Sequence, residues 1–202
     1  DGKPFTVSGV TMRDAQIEVS GATHGIEQVG CRLVFNGREK GGQEWRLETG
    51  SWTYYDAVYE GDLDRNGVRD LVVSIGTGAN GLGEPTHLIF LTFDRRGHPS
   101  LFEATGYFDP RAGDIYDLAD LDGDRRAELL FMTYDDGYWI TNVYQPHESR
   151  WSRVNGRLAG LRFPLYTRFT RRPNHTPARP APGRSPHQPD LPEENGAARR
   201  RP

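Results

Sequence analysis

The sequence predicts an all-β protein of short antiparallel strands, and three observations carry that prediction. Twenty-four Gly, fourteen Pro and 11% aromatic residues beside only two Met describe a chain of many turns and few long helices. Two acidic loops, starting at Asp62 and Asp120, each run into an apolar stretch of the right length for one buried strand: Leu71, Val72, Val73 and Ile75 after the first, residues 129–132 after the second. The loops also share a register. A shift of 58 residues (120 minus 62) places Asp56 on Asp114, Leu63 on Leu121, Asp64 on Asp122, Asn66 on Asp124, Asp70 on Glu128 and Leu71 on Leu129, and a fixed period of this size marks a repeated structural unit.

Taken in order, residues 11–20, 29–36 and 44–48 have strand-like apolar patterning, broken at Asn36-Gly37 and Gly41-Gly42. Residues 1–53 therefore form an N-terminal group of strands, a candidate degenerate unit. Residues 54–112 form the first clear unit: a β-prone run at 54–60, the acidic loop, the apolar strand, a glycine-rich connection at 76–85, a strand at 87–93, a turn at 94–97 and a strand at 100–107. Residues 113–157 repeat the plan with strands at 116–119, 129–132, 138–144 and 151–154 and a hairpin turn at Asp136-Gly137. Four strands per unit is the arithmetic of a blade. Closed rings need about four to eight blades, so the expected architecture is a partial or open β-propeller of antiparallel four-stranded repeats.

Residues 158–202 complete the chain. Leu161, Phe163, Leu165, Tyr166 and Phe169 suit a segment that docks on the body or on a partner. From Arg171 onward there are eight Pro and few large apolar residues, so this tail is expected to be disordered or extended. The tail holds seven Arg against three acids, a charge of +4, which leaves residues 1–170 at -7 for a total of -3. An acidic body excludes nucleic acid as the expected partner, because phosphate attraction needs a basic face. The expected partners are other protein subunits, reached from Leu158 to Pro202, with a glycan as alternative and a membrane-tethered complex as a third. No apolar run approaches a membrane span, and Cys31 stands alone, so an intrachain disulfide is not available. Asp1 in place of a starting methionine reads as a processed start, in keeping with an extracellular, cell-surface or periplasmic location.

The acidic loops carry the chemistry. Calcium takes six to eight oxygens at about 2.3–2.6 Å, and alternating side chains deliver several oxygens to one centre within few residues. In the first loop, positions one, three and five are Asp62, Asp64 and Asn66, position seven offers the carbonyl of Val68, and position nine is Asp70. Gly67 at position six permits the sharp turn. The second loop offers Asp120, Asp122, Asp124, the carbonyl of Arg126, and Glu128. Its position six is Arg125, and a left-handed non-glycine costs about 1–2 kcal/mol, so the second loop is expected to bind less well. Val73 stands where an EF-hand has its twelfth-position glutamate, inside an apolar strand, so a strand-loop-strand site is expected instead.

The run from Glu60 through Asp62, Asp64, Asn66, Gly67 and Asp70 to Val73 resembles an FG-GAP or VCBS repeat, the blade unit of integrin-type β-propellers. The run from Ala119 through Asp120, Asp122, Asp124 and Glu128 to Leu130 is similar in less regular form. The resemblance spans roughly residues 54–154. It implies that each loop joins the first two strands of a blade and holds Ca2+, one ion or two in all.

Other features read more plainly. Residues 76–83 are glycine-rich but lack the Lys-Ser/Thr ending of a phosphate loop. Trp45, Trp52, Tyr54, Tyr55 and Tyr59 form an aromatic group that suits core packing, or stacking on sugars in the glycan alternative. Cys31 reads as an inert core residue, and Asp56 with Asp114 as part of the repeat. No nucleophile, base and orienter assemble from the spacing, so the expectation is a non-enzymatic, calcium-stabilised structural or interaction module.

Overall fold

A computed structural model describes residues 3–4, 8–9, 16–19, 22–29, 32–51, 56–76, 85–111, 114–168 and 192. Every regular element in them is a β-strand. Two short strands come first, β1 (Lys3–Pro4) and β2 (Ser8–Gly9). An N-terminal sheet follows, built from β3 (Gln16–Val19), β4 (Ala22–Val29), β5 (Arg32–Arg38) and β6 (Glu44–Ser51) in sequential antiparallel order. The middle sheet contains β7 (Ala57–Gly61), β8 (Asp70–Gly76), β9 (Thr86–Phe93) and β10 (Pro99–Gly106), with β2 on its β7 edge. After the small pair β11 (Pro110–Arg111) and β12 (Asp114–Ile115) comes the C-terminal sheet of β13 (Leu118–Asp120), β14 (Glu128–Asp135), β15 (Tyr138–His147) and β16 (Arg150–Arg153), with β1 beside β13. A hairpin of β17 (Gly156–Leu158) and β18 (Leu161–Phe163) leads to β19 (Leu165–Arg168). β19 pairs with β15 from Tyr138 to Thr141, so the expected docking segment does lie on the body.

The three sheets form a stack, and no closed barrel or ring occurs among the described residues. Strand periodicity explains the order of the layers. In β8, Leu71, Val73 and Ile75 point one way and Val72 the other. The first set joins Leu33, Phe35, Trp45 and Leu47 of the N-terminal sheet, together with Ile89, Leu91 and Phe93 of β9. Val72, with Leu88 and Phe90 of β9, joins Leu129, Phe131, Tyr144 and Trp151 of the C-terminal sheet. The middle sheet is therefore covered on both faces. Every residue of β9 is buried, the polar Thr86, His87 and Thr92 included, as a strand covered on both faces requires.

Three sequence expectations need correction. Asn36-Gly37 is not a break: Gly37 pairs with Trp45 inside the β5–β6 ladder, and the turn falls at residues 39–43. Residues 29–36 are not one strand either, since Val29 closes β4 and Arg32 opens β5. β4 itself was not apparent, because its sequence, Ala-Thr-His-Gly-Ile-Glu-Gln-Val, offers little apolar alternation. Finally, Trp45 and Tyr59 do not share one aromatic group but lie in the two different cores, on opposite faces of the middle sheet. Trp52, Tyr54 and Tyr55, Cys31, the connection at 77–84 and nearly all of the tail fall outside the described residues. Asp56 accepts the N–H of Gly76 across the end of β8, a structural role. Asp114 lies in β12, and its side chain falls outside the described residues.

Candidate metal centre

The first loop, between β7 and β8, is fastened by the core that it serves. Leu63 is fully buried between the middle and C-terminal sheets. Its N–H donates to Asp70 Oδ2 at 2.9 Å, closing the loop across its base. Asp70 opens β8 with no exposed surface, and its Oδ1 accepts the N–H of Phe93 at 2.8 Å from the end of β9. Burial pushes the Asp70 pKa well above the usual carboxylate value; the two N–H bonds oppose this, and the charges of Asp64 and Asp62 reinforce it.

Asp62 and Asp64 face Asp70 from the loop itself. Asp62 accepts the N–H groups of Asn66 and Gly67, each at 3.0 Å. Asp64 Oδ1 accepts the N–H of Asn66 at 3.1 Å. The Asn66 amide is engaged at both ends: its Oδ1 accepts the N–H of Val68 at 2.7 Å, and its Nδ2 donates to the carbonyl of Phe93 at 2.6 Å and to Asp64 Oδ2 at 3.1 Å. One oxygen from each of Asp62, Asp64 and Asp70 lies within 4.8 Å of the other two. Two oxygens that both sit about 2.4 Å from one calcium ion can be no more than about 4.8 Å apart. An all-oxygen donor set with up to three negative charges suits a hard cation, and Asp62, Asp64 and Asp70 are the side chains that could hold it.

The second loop repeats the wiring. Val68 N–H to Asn66 Oδ1 becomes Arg126 N–H to Asp124 Oδ1 at 2.8 Å, Gly67 N–H to Asp62 Oδ2 becomes Arg125 N–H to Asp120 Oδ2 at 3.1 Å, and Leu63 N–H to Asp70 becomes Leu121 N–H to Glu128 Oε2 at 2.6 Å. Asp120, Asp122 and Asp124 form the group within 4.8 Å, and Glu128 is not part of it. Ladder register explains that substitution. Leu71 pairs with Leu91 and Leu129 with Tyr144, so Pro146 stands where Phe93 stands in the first unit. Proline has no N–H to give. The longer Glu128 instead takes a hydrogen bond from the Gln145 side chain, at 3.1 Å on Oε1. Burial raises the Glu128 pKa above its usual value against these two bonds.

No family model, curated protein or solved structure matches the chain.

Arg126, expected to give only its carbonyl, also folds its guanidinium back onto Asp124, with Nε 2.6 Å from Oδ2 and Nη2 bonded to the same oxygen. Partial burial pushes the Asp124 pKa up, but these Arg126 bonds outweigh it and hold the carboxyl below its usual value. The second loop thus carries its own counter-charge. Both loops have left-handed residues at positions four and six, and each fills one of them with glycine: Arg65 (φ 61) and Gly67 in the first, Gly123 and Arg125 (φ 71) in the second. Arg125 is strained as the sequence suggested, and Arg65 in the same way. Arg125→Gly is therefore expected to raise stability by about 1 kcal/mol, net of the added chain entropy, readable as a rise in the urea midpoint with unchanged m-value.

The loops differ most in what lies over them. Ala127 N–H donates to the carbonyl of Leu63 at 2.8 Å, and Ser149 N–H, in the turn between β15 and β16, donates to Asp64 Oδ2 at 2.8 Å. Thr92 Oγ1 donates to the Ser149 carbonyl at 2.5 Å. Asp64 is consequently buried, whereas Asp122 is exposed. Sequence reasoning missed Ser149, Phe93, Ala127 and Gln145. Only the occurrence of Pro146 where the first unit has Phe93, beside the change of Asp70 to Glu128, offered a signal.

Proposed function

We propose that the chain is a calcium-stabilised module of stacked blade-like sheets, of the β-propeller kind, that works outside the cytoplasm as a structural or protein-interaction subunit and not as an enzyme. The observation that carries this reading is the convergence of Asp62, Asp64 and Asp70 on one small volume at the joint between two sheets. Calcium there would neutralise three carboxylates and hold the loop that the C-terminal sheet leans on. The near-millimolar calcium outside cells suits loops of modest affinity. The resemblance of both loops to FG-GAP or VCBS repeats, the matched hydrogen bonds and the four-strand plan of the sheets support the same assignment. The Pro- and Arg-rich residues 171–202, beyond β19, offer the reach toward a neighbouring subunit.

Calorimetric titration of the chelator-treated protein with calcium tests the proposal. The expected result is heat of binding, with a melting temperature that rises with calcium. A concentration of about 100 times the dissociation constant adds about 2.7 kcal/mol to the stability of a single site. Absence of heat at millimolar calcium, with an unchanged melting curve, would remove the basis for the assignment.

A further inference from the structure

Above the joint between the middle and C-terminal sheets lies an open cleft of about 1160 Å³. Residues 1–170 carry a net charge of -7, yet the described residues that line the cleft include five arginines against three carboxylates. Arg65, Arg95, Arg96 and Arg150 are exposed in it, and none of these four guanidiniums is held by a carboxylate among the described residues. Long cationic side chains gathered in one concavity repel one another. An anion that bridges them relieves that repulsion.

The backbone that presents these arginines is fixed in advance. Asp94 Oδ1 accepts the N–H groups of Arg96 at 2.8 Å and His98 at 2.9 Å, which locks the turn that carries Arg95 and Arg96. On the opposite wall, Glu148 and Ser149 both have positive φ, and Ser149 is tied to Asp64 and Thr92, which sets the start of β16 at Arg150. Rigid presentation lowers the ordering cost of binding.

We infer that this cleft binds a sulfated oligosaccharide. Guanidinium forks match the paired oxygens of sulfate, and Ser100 and Ser152 on the lining add groups for sugar hydroxyls. The volume exceeds what a free inorganic anion fills and suits a ligand of several rings. Among the described residues no Phe, Tyr or Trp lines the cleft, so they supply none of the stacking platforms that single-stranded nucleic acids use. This inference rests on the arginines and not on the proposed metal.

The test is fluorescence anisotropy on the full chain with a labelled heparin hexasaccharide. Parallel arms use a hyaluronan hexasaccharide (carboxylates only), a hexa-aspartate peptide and an oligothymidylate of equal charge. The expected result is saturable binding of the heparin probe that weakens with added salt, and at least severalfold weaker binding of the other three. Arg95→Glu with Arg150→Glu should weaken heparin binding by about tenfold or more, the scale of losing one charge-assisted contact. Arg95→Gln with Arg150→Gln should give a smaller loss in the same direction, and its milder change guards against misfolding of the reversal variant. Arg162→Glu, on β18 away from the cleft, should change nothing. No binding by the wild-type chain, an equal loss in Arg162→Glu, or equal binding of any of the other three probes would overturn the inference.

Discussion

Replacing Asp70 with Ala is expected to cost about 3 kcal/mol in millimolar calcium, a fall in Tm of roughly 6–12 °C for a chain of this length, and to abolish the calcium response. Two buried N–H groups, those of Leu63 and Phe93, lose their acceptor together, at about 1–3 kcal/mol each. Relief from burying a carboxylate offsets part of that loss. In the absence of calcium the offset is larger and depends on pH. Burial raises the Asp70 pKa in the fold, so the native chain holds a proton that the unfolded chain releases. That contribution to stability is fully present below the unfolded carboxylate pKa and is lost as pH rises through the raised native value. Metal-free wild type should therefore lose stability as pH rises above the ordinary carboxylate value, Asp70→Ala should lack this component, and calcium should suppress it in the wild type by holding the carboxylate ionised. Thermal melts of both proteins across this range, with calcium and with chelator, measure all three effects. A wild-type Tm indifferent to calcium and pH alike would contradict the role given to Asp70.

Trp151→Ala should have an effect of similar or greater size for a different reason. Trp151 lies on β16 with 1% of its surface exposed, stacked on Phe102 of β10 at 5.2 Å between centroids and tilted against Phe90 of β9 at 4.7 Å. It fastens the C-terminal sheet to the middle one. Truncation leaves a cavity between two layers and should cost about 3–5 kcal/mol. Trp151→Phe is the informative companion. The indole N–H finds no hydrogen-bond partner among the described residues, so exchanging it for a phenyl ring removes an unsatisfied donor, leaves only a small void and should cost clearly less than alanine does. Chemical denaturation separates the outcomes. Equal losses for Ala and Phe would mean that a six-membered ring at this position adds nothing to holding the layers together.

The strands that the sequence revealed are those whose burial leaves a pattern. β8 and β9 read directly from Leu71–Ile75 and the run ending at Phe93, because both of their faces are covered. β4 stayed hidden because its residues alternate weakly and its place follows from pairing with β5. The loops were legible because ligand-type residues must alternate within nine positions. What covers them was not, since Ser149 reaches Asp64 across 85 residues and acts through its backbone N–H, a group that every non-proline residue carries. From sequence, the exchange of Asp70 for Glu128 is only a longer acid at position nine of a less regular loop. In the fold it is matched to Pro146, whose missing N–H forces the acid to reach the neighbouring side chain.

The turn at Glu148 and Ser149 has one more consequence, which concerns time and not affinity. Because Ser149 N–H is bonded to Asp64 Oδ2, a cation seated in the first loop would have one of its ligands tied to a turn that belongs to a packed interface. The second loop, with Asp122 in open water, has no such tie among the described residues. Two near-copies of one nine-residue motif would then release the same ion at separate rates, the more slowly where a ligand is tethered to the neighbouring layer.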